Sequence, residues 1–183
     1  MAADAPGQDV QTPTDLALLD AAAAGDERAF EALYLRHRGF VLAVAARFGA
    51  RGDDGLDVMQ ETFADLAGRL PGFRLRARLT TWLYPVAKHF ALKRRRWAGR
   101  FLLFGAARDL EPVLSPAPPG DVPGGGIAAL VTALPPPQRE VLLLRFQDGF
   151  SIEEIAAALE IPAGTVKSRL HNALAALRPD FGA

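Results

Sequence analysis

Basic side chains gather in the middle of this 183-residue chain, with aromatic side chains among them. Residues 66–108 contain 11 lysines and arginines and no aspartate or glutamate, and Trp82 and Tyr84 lie inside this block. A segregated block of one charge indicates an anionic partner, and nucleic acid is the partner that it favours. A solvated basic face with no ligand is the alternative.

The acidic side chains lie on either side of this block. Residues 1–65 carry 12 acidic and 5 basic side chains, and residues 109–183 carry 9 and 5, so the net charge of zero conceals the segregation. The acidic regions are free to meet a different partner. The chain has no cysteine, no apolar run of membrane-spanning length and no secretory leader, which favours a cytoplasmic protein without membrane insertion.

A second candidate site lies near the C-terminus, in "SIEEIAAALEIPAGTVKSRLHNALAALR". Ser151 and Glu154 form a capping box, and Pro162 is placed to begin a second helix after a short turn. This pattern predicts a helix-turn-helix, although an ordinary helical hairpin has the same spacing. Helical periodicity turns Val166, Leu170, Ala173, Leu174 and Leu177 inward and leaves Lys167, Ser168, Arg169, His171 and Asn172 outside.

The elements that must position these residues are all predicted to be helices, in two small domains. We expect a disordered tail over 1–12, an N-terminal domain over 13–100, a Pro/Gly-rich linker over 101–126 and a C-terminal domain over 127–183. Thr80 or Thr81 is the predicted cap of the helix that carries Trp82, which would place Pro85 about one turn into that helix. The predicted apolar stripe of the preceding helix is Leu56, Met59, Phe63, Leu66 and Leu70.

Nothing in the chain has the pattern of a catalytic centre. No nucleophile–base set or phosphate-binding loop is present, and His37, His89 and His171 fall on separate predicted helices. Asp57 and Glu61 are spaced to share a helix face, but no histidine or cysteine is near them in sequence. We therefore predict a protein that is not an enzyme and needs no metal or cofactor.

Several motifs in order resemble one family. The segments "GDERAFEALY", "DVMQETF" and "TTWLYPVAKHFAL", followed by "ALPPPQREVLLLRFQDGFSIEEIAAALEIPAGTVKSRLHNAL", resemble the extracytoplasmic-function (ECF) sigma factors of bacterial RNA polymerase. The resemblance covers roughly residues 14–100 and 127–178. It implies promoter-specific transcription initiation, with core RNA polymerase and promoter DNA as partners and location at the nucleoid.

The resemblance also assigns roles to residues. Asp57, Gln60 and Glu61 would face the clamp helices of the polymerase β′ subunit, with the β subunit as a further contact. The C-terminal helix would read the minus-thirty-five element through Lys167, Ser168, Arg169, His171 and Asn172. The candidates for melted minus-ten DNA are Arg74, Arg76, Arg78, Thr80, Thr81, Trp82, Lys88, Lys93, Arg94, Arg95 and Arg96, and for Trp82 stacking on a base and packing in the fold are both open.

Two of the departures from the family pattern lie in loops and turns. The loop "FRLRARLTTW" carries Leu75 and Arg76 where small and acidic residues are usual, and Glu160 replaces the usual glycine of the turn. Glu160 would carry a backbone cost if its φ is positive. Many relatives are held inactive by an anti-sigma factor, which makes such a protein a further candidate partner. A stand-alone helix-turn-helix regulator is the alternative function, although it leaves "DVMQETF" unexplained.

Overall fold

The computed structural model describes residues 13–75, 77–102 and 127–177, and the regular structure in these ranges is helical. The N-terminal unit contains α1 (Asp15–Ala23), α2 (Glu27–Arg47), α3 (Asp53–Arg69) and α4 (Leu79–Leu102). The C-terminal unit contains α5 (Ile127–Ala133), α6 (Pro136–Phe146), α7 (Ile152–Leu159) and α8 (Ala163–Leu177). The prediction of two small helical domains is confirmed. The predicted tail, Arg76 and most of the predicted linker lie outside the described residues.

Three of the helices, α1, α2 and α7, begin at a side-chain cap. Thr14 Oγ1 accepts a hydrogen bond from the Ala17 backbone N–H (3.2 Å), and the Asp26 carboxylate accepts one from Arg28 N–H (2.9 Å). The predicted capping box of α7 is present, with Glu154 N–H donating to Ser151 Oγ (3.0 Å) and Ser151 N–H donating to the Glu154 carboxylate (2.8 Å). Each cap satisfies N–H groups that the first helical turn leaves without a partner.

Apolar stripes on α2, α3 and α4 meet in the core of the N-terminal unit. Leu33, Val44, Val58, Leu66 and Leu83 are fully buried there. The same core continues into the C-terminal unit, where the buried side chains are Val141, Leu144, Phe150, Ile155, Ala158, Val166 and Leu170. A smaller core under α5 consists of Leu134, Leu142, Ala173 and Leu177.

Two predicted core residues are exposed, so these predictions are wrong. Leu56 is 45 % exposed because it lies in the first turn of α3, where its neighbour Gly55 is the buried residue. Leu174 is 42 % exposed because the buried stripe of α8 passes through Ala173, and the next residue along a helix points about 100° away. The buried stripe of α8 is therefore narrower than the periodicity predicts.

The helix α4 begins earlier than predicted. Its first residue is Leu79, so Thr80 and Thr81 lie within the first turn, and the prediction that one of them caps the helix is wrong. Pro85 is consequently almost two turns into α4 instead of one. Since proline lacks an N–H, the carbonyl of Thr81 loses its usual helical hydrogen bond at this point.

The turn of the helix-turn-helix contains a residue with a positive φ, at the position where glycine is usual. Glu160 ends α7 with φ 54° and ψ 41°, in the left-handed region. It is the one non-glycine residue with a positive φ among those that the structure describes. Pro162 then begins the next turn, and its carbonyl accepts from Thr165 N–H (2.9 Å) as α8 starts.

Candidate nucleic-acid interface

The helix α8 presents a polar surface above a buried apolar one. Val166, Leu170 and Ala173 are buried against the helices beneath, which fixes the opposite face toward solvent. The Ser168 hydroxyl donates to the Thr165 carbonyl (3.0 Å) and remains exposed. All five predicted reading residues share this helix: Lys167, Ser168, His171 and Asn172 are exposed, and Arg169 is half-buried.

Such a helix has the shape and the groups that read a DNA groove. Lysine and arginine donate to guanine or phosphate, asparagine pairs with adenine, and serine accepts either arrangement. The tight α7–α8 turn packs α8 against α6 and α7 with its polar face outward, as in DNA-binding helix-turn-helix proteins. The geometry therefore permits contact between the N-terminal half of α8 and base edges.

The basic end of α4 divides into exposed and engaged cations. Lys93 and Arg96 are exposed, and Arg95 is half-buried. The Lys93 ammonium lies 5.7 Å from the centroid of the Phe90 ring, close enough for a cation–π contact. Arg94 differs from its neighbours because its guanidinium turns back toward α3.

The loop before α4 carries a further exposed cation and one that is already paired. Arg74 is exposed, and Arg76 lies outside the described residues. Arg78 is half-exposed, but its Nε donates to the Glu154 carboxylate (2.6 Å) and its Nη2 donates to the Gly149 carbonyl (3.0 Å). The hydroxyl oxygens of Thr80 and Thr81 are buried and bond to no residue that the structure describes. Those two hydroxyl oxygens are therefore not open to solvent.

Trp82 is half-buried and packs within the N-terminal unit. Its ring meets Phe73 edge to face with 5.3 Å between centroids, and the Arg69 guanidinium lies 5.9 Å from its centroid. It also contacts the buried core. Trp82 therefore packs in the fold, and only part of its ring surface is accessible to a base.

The acidic side chains on α3 are paired with an arginine of α4. Asp57 and Glu61 are half-buried and Gln60 is exposed. Arg94 Nη1 donates to Asp57, and Arg94 Nη2 donates to Glu61 Oε1 at 3.1 Å. Gln60 is thus the most accessible member of the predicted polymerase-binding trio, while both carboxylates already have a cationic partner.

Lys88, a predicted phosphate contact, lies between the two units. Its ammonium donates to Glu140 Oε1 (2.6 Å), and the Tyr84 hydroxyl donates to the same oxygen (2.6 Å). Burial raises the pKa of Tyr84 well above its ordinary value, and the nearby Glu140 carboxylate raises it further. Tyr84 therefore stays protonated and serves as a donor.

Sequence reasoning missed the ion pairs that join the units. Arg47 and Asp148 form a bidentate pair, with Nη2 donating to Oδ1 at 2.7 Å. Charge segregation is a signal for the Arg78–Glu154 and Lys88–Glu140 pairs, in which acids of residues 109–183 meet the basic block, but not for Arg47, which lies in the acidic region 1–65. The pairing itself depends on how the two units pack, which local pattern does not encode.

Neither a metal-binding cluster nor a membrane-spanning helix is found in residues 13–75, 77–102 and 127–177. Within those ranges, no group of three or more ligating side chains is placed to hold a metal ion. None of the helices there is both long enough and apolar enough to cross a membrane. The site therefore consists of cations, amides and hydroxyls on helices, without a metal centre in the described residues.

Comparison with known proteins gives two family matches. Residues 33–101 match the model of sigma-70 region 2, and residues 125–177 match that of sigma-70, region 4. The RNA polymerase sigma-H factor of Pseudomonas aeruginosa is 31 % identical over 176 residues, covering 89 % of this chain and 91 % of the relative. The chain belongs to the ECF sigma factor family. The ECF RNA polymerase sigma-E factor of Escherichia coli K12 is 30 % identical over 181 residues, covering 90 % and 92 %.

Solved structures agree with the assignment of this sigma factor. CnrH in complex with the cytosolic domain of CnrY has a TM-score of 0.63 and 30 % identity, covering 92 % of this chain and 99 % of CnrH. RpoE from Bartonella quintana, in complex with the anti-sigma factor NepR, shares the fold with a TM-score of 0.59 and 24 % identity, covering 83 % and 96 %. Members of this family direct promoter-specific transcription as non-enzymatic partners of RNA polymerase.

Proposed function

We propose that this sigma factor reads the minus-thirty-five element with α8, contacts melted minus-ten DNA with the basic side of α4, and docks on core polymerase through α3. The observation that carries the proposal is the exposed polar face of α8 over a fully buried apolar stripe. A helical hairpin without a DNA-binding role would not require Lys167, Ser168 and Asn172 to share one exposed helix face. Its place of action would be the nucleoid.

The direct test adds the purified protein to sigma-free core polymerase and looks for promoter-specific run-off transcripts. Transcripts that depend on the protein support the proposal. Failure both to bind the core enzyme and to produce transcripts contradicts it. Binding to duplex DNA together with failure to bind polymerase would instead favour a stand-alone helix-turn-helix regulator.

A substitution in α8 tests the reading helix separately. Lys167→Ala should weaken upstream duplex binding by about 1–3 kcal/mol if Lys167 contacts a base, and the loss should differ between DNA sequences. If Lys167 contacts only phosphate, the loss is uniform and the salt slope falls by about 1. Arg38→Ala is the matched control, since it also removes one exposed cation but lies on α2.

Gln60 offers the cleanest test of docking by α3. Reversing the charge of Asp57 would place a cation beside Arg94 and disturb the α3–α4 contact, so lost affinity would have two causes. Gln60 is exposed, so Gln60→Arg should lower core affinity without unfolding the unit, because it sets a cation against a basic partner surface. Gln147→Arg, an exposed glutamine of the other unit, is the control. Equal affinity of the two variants for core polymerase would remove Gln60 from the interface.

A further inference from the structure

Arg94 belongs to the basic end of α4, but its side chain turns toward α3. Ala87 and Ala91 are fully buried on the face of α4 that packs against the other helices. Arg94 follows Ala91 by three positions, so helical geometry places it on the same face, where the apolar core ends. Lys93 and Arg96 lie off this face and are exposed, whereas the Arg94 side chain is 31 % exposed.

The Arg94 guanidinium lies against three carboxylates of α3. Nη1 donates to Asp57 and lies 4.0 Å from Asp54 Oδ1, and Nη2 donates to Glu61 Oε1 at 3.1 Å. Successive turns of α3 present these acids on one side, because their spacings are three and four residues. A planar guanidinium can bridge two carboxylates at once, a geometry that an ammonium group does not offer. Arg94 thus joins the two acids of the face that is proposed to dock on polymerase.

Glu61 depends on this cation more than its exposure suggests. Its side chain is 33 % exposed, but Oε2 is buried and has no hydrogen-bond partner among the residues that the structure describes. A carboxylate with an enclosed, unpaired oxygen is costly unless a cation is paired with it. Arg94 supplies that cation at Oε1. Without Arg94, Glu61 should turn outward to water and change the arrangement of the docking face.

The contact with Arg94 leaves both acids accessible to a partner. The side chains of Asp57 and Glu61 remain 43 % and 33 % exposed, and a carboxylate accepts hydrogen bonds from more than one donor. Side chains that are held in one orientation before binding lose less conformational entropy when a complex forms. The two carboxylates are therefore ordered in the free protein and still open to basic groups.

We propose that Arg94 is a positioning residue of the polymerase-docking face: it holds Asp57 and Glu61 in the orientation that a basic partner surface meets, and it is not a contact of melted DNA. The inference rests on the proposed docking by α3. The basic end of α4 then serves two partners. Arg94 orders the acids that face polymerase, and the exposed Lys93 and Arg96 are left for DNA.

Arg94→Gln and Arg96→Gln are matched variants, because each removes one cation from the same helix and the positions are two residues apart. Both make the protein more negative by one charge, which alone favours a basic partner. Positioning predicts the opposite for Arg94→Gln. Its complex with sigma-free core polymerase should dissociate about tenfold faster, because two side chains lose their fixed orientation. The Arg96→Gln complex should dissociate at the wild-type rate.

The dissociation rate distinguishes positioning from a loss of folded protein. A partly unfolded variant contains fewer active molecules, but those that bind leave at the ordinary rate. Arg94→Lys keeps the charge without the bridging geometry, so its dissociation rate should lie between those of wild type and Arg94→Gln. A rate for Arg94→Gln that equals the wild-type rate, or is slower, overturns the proposal.

Glu61→Gln tests whether Arg94 acts through the carboxylate that it holds. Substitutions of two residues in contact are not additive when one acts through the other. Glu61→Gln should speed dissociation in the otherwise unchanged protein and add little in the Arg94→Gln background. Fully additive effects would show that Arg94 does not act through Glu61, and would overturn the proposal.

The last measurement is DNA binding by the reconstituted holoenzyme, with each variant in excess so that every polymerase carries it. The probe is a short fluorescent single-stranded DNA of mixed sequence. Arg94→Gln should bind it with wild-type affinity. Arg96→Gln should bind it more weakly, with a salt dependence lower by about 0.7 for one lost phosphate contact. Equal losses in the two variants overturn the proposal and make Arg94 an ordinary phosphate contact.

Gln60→Arg, measured in parallel, separates this inference from the proposed function. If Gln60→Arg weakens core binding and Arg94→Gln does not, docking by α3 stands and the positioning role of Arg94 is wrong. If neither variant weakens core binding, docking by α3 is wrong and the positioning role is wrong with it.

Discussion

Replacing Glu160 by glycine should stabilise the protein. Glu160 holds a left-handed backbone conformation (φ 54°) at the end of α7, and its side chain is exposed. The left-handed region brings the β-carbon of an L-residue too close to its own backbone, and glycine has no β-carbon. Glycine should therefore adopt the same turn without that cost.

The size of the effect follows from two opposing contributions. The left-handed conformation costs an L-residue about 1–2 kcal/mol. A new glycine adds freedom to the unfolded chain, which costs about 0.4–1 kcal/mol. The net gain in the free energy of unfolding then lies between about 0 and 1.6 kcal/mol, and its central value of about 0.8 kcal/mol raises Tm by about 2–3 °C for a protein of this size.

Glu160→Gln is the control that isolates the backbone effect. It removes the same charge from the end of α7, where a negative charge opposes the helix dipole, but it keeps the β-carbon. Chemical denaturation of the wild type and both variants gives the free energies of unfolding. If Glu160→Gly is no more stable than Glu160→Gln, strain at this residue is not the reason for the gain. The DNA affinity of the glycine variant should equal that of the wild type.

Two further substitutions test named hydrogen bonds. Tyr84→Phe should lower the free energy of unfolding by about 1.5–3 kcal/mol, measured by chemical denaturation, because it removes a buried hydrogen bond to the charged Glu140. Asp15→Asn should reduce the dependence of the free energy of unfolding on pH at acidic pH. Burial raises the pKa of Asp15, but hydrogen bonds from Arg36 and His37 bring it below its ordinary value, so the stabilisation is present above about 3.8 and disappears as the pH falls through the lowered pKa. Equal slopes for wild type and variant below that pH would contradict the assignment.

Much of the local structure follows from the sequence because its causes are local. The caps at Thr14, Asp26 and Ser151 depend on side chains within three residues of the groups that they satisfy. The turn before α8 is equally local, since Pro162 and the left-handed Glu160 fix it between them. Resemblance to the sigma family supplied the order of the units and the roles assigned to their helices.

The boundaries of the buried faces were less predictable. Periodicity alone assigns Leu56 and Leu174 to the core, but the neighbouring helices do not cover either position. The predicted start of α4 was wrong for a similar reason. Leu79 is buried and the helix begins there, before the threonines that looked like caps. Tertiary packing decided each case over local preference.

The pairing between the units lay beyond local reasoning altogether. Arg47 and Asp148 are separated by 101 positions, and nothing near either residue indicates the other. The charge segregation does not indicate this pair, because Arg47 lies in the acidic region 1–65. Segregation fits the Arg78–Glu154 and Lys88–Glu140 pairs, in which acids of residues 109–183 meet the basic block.

Lys88 shows why a cation at such a boundary needs an internal partner. Its side chain is only 27 % exposed, and burying an ammonium group without a counter-charge is costly. Glu140 supplies that charge, and the Tyr84 hydroxyl donates to the same carboxylate oxygen. The contact between the two units therefore provides the counter-charge that this half-buried ammonium needs.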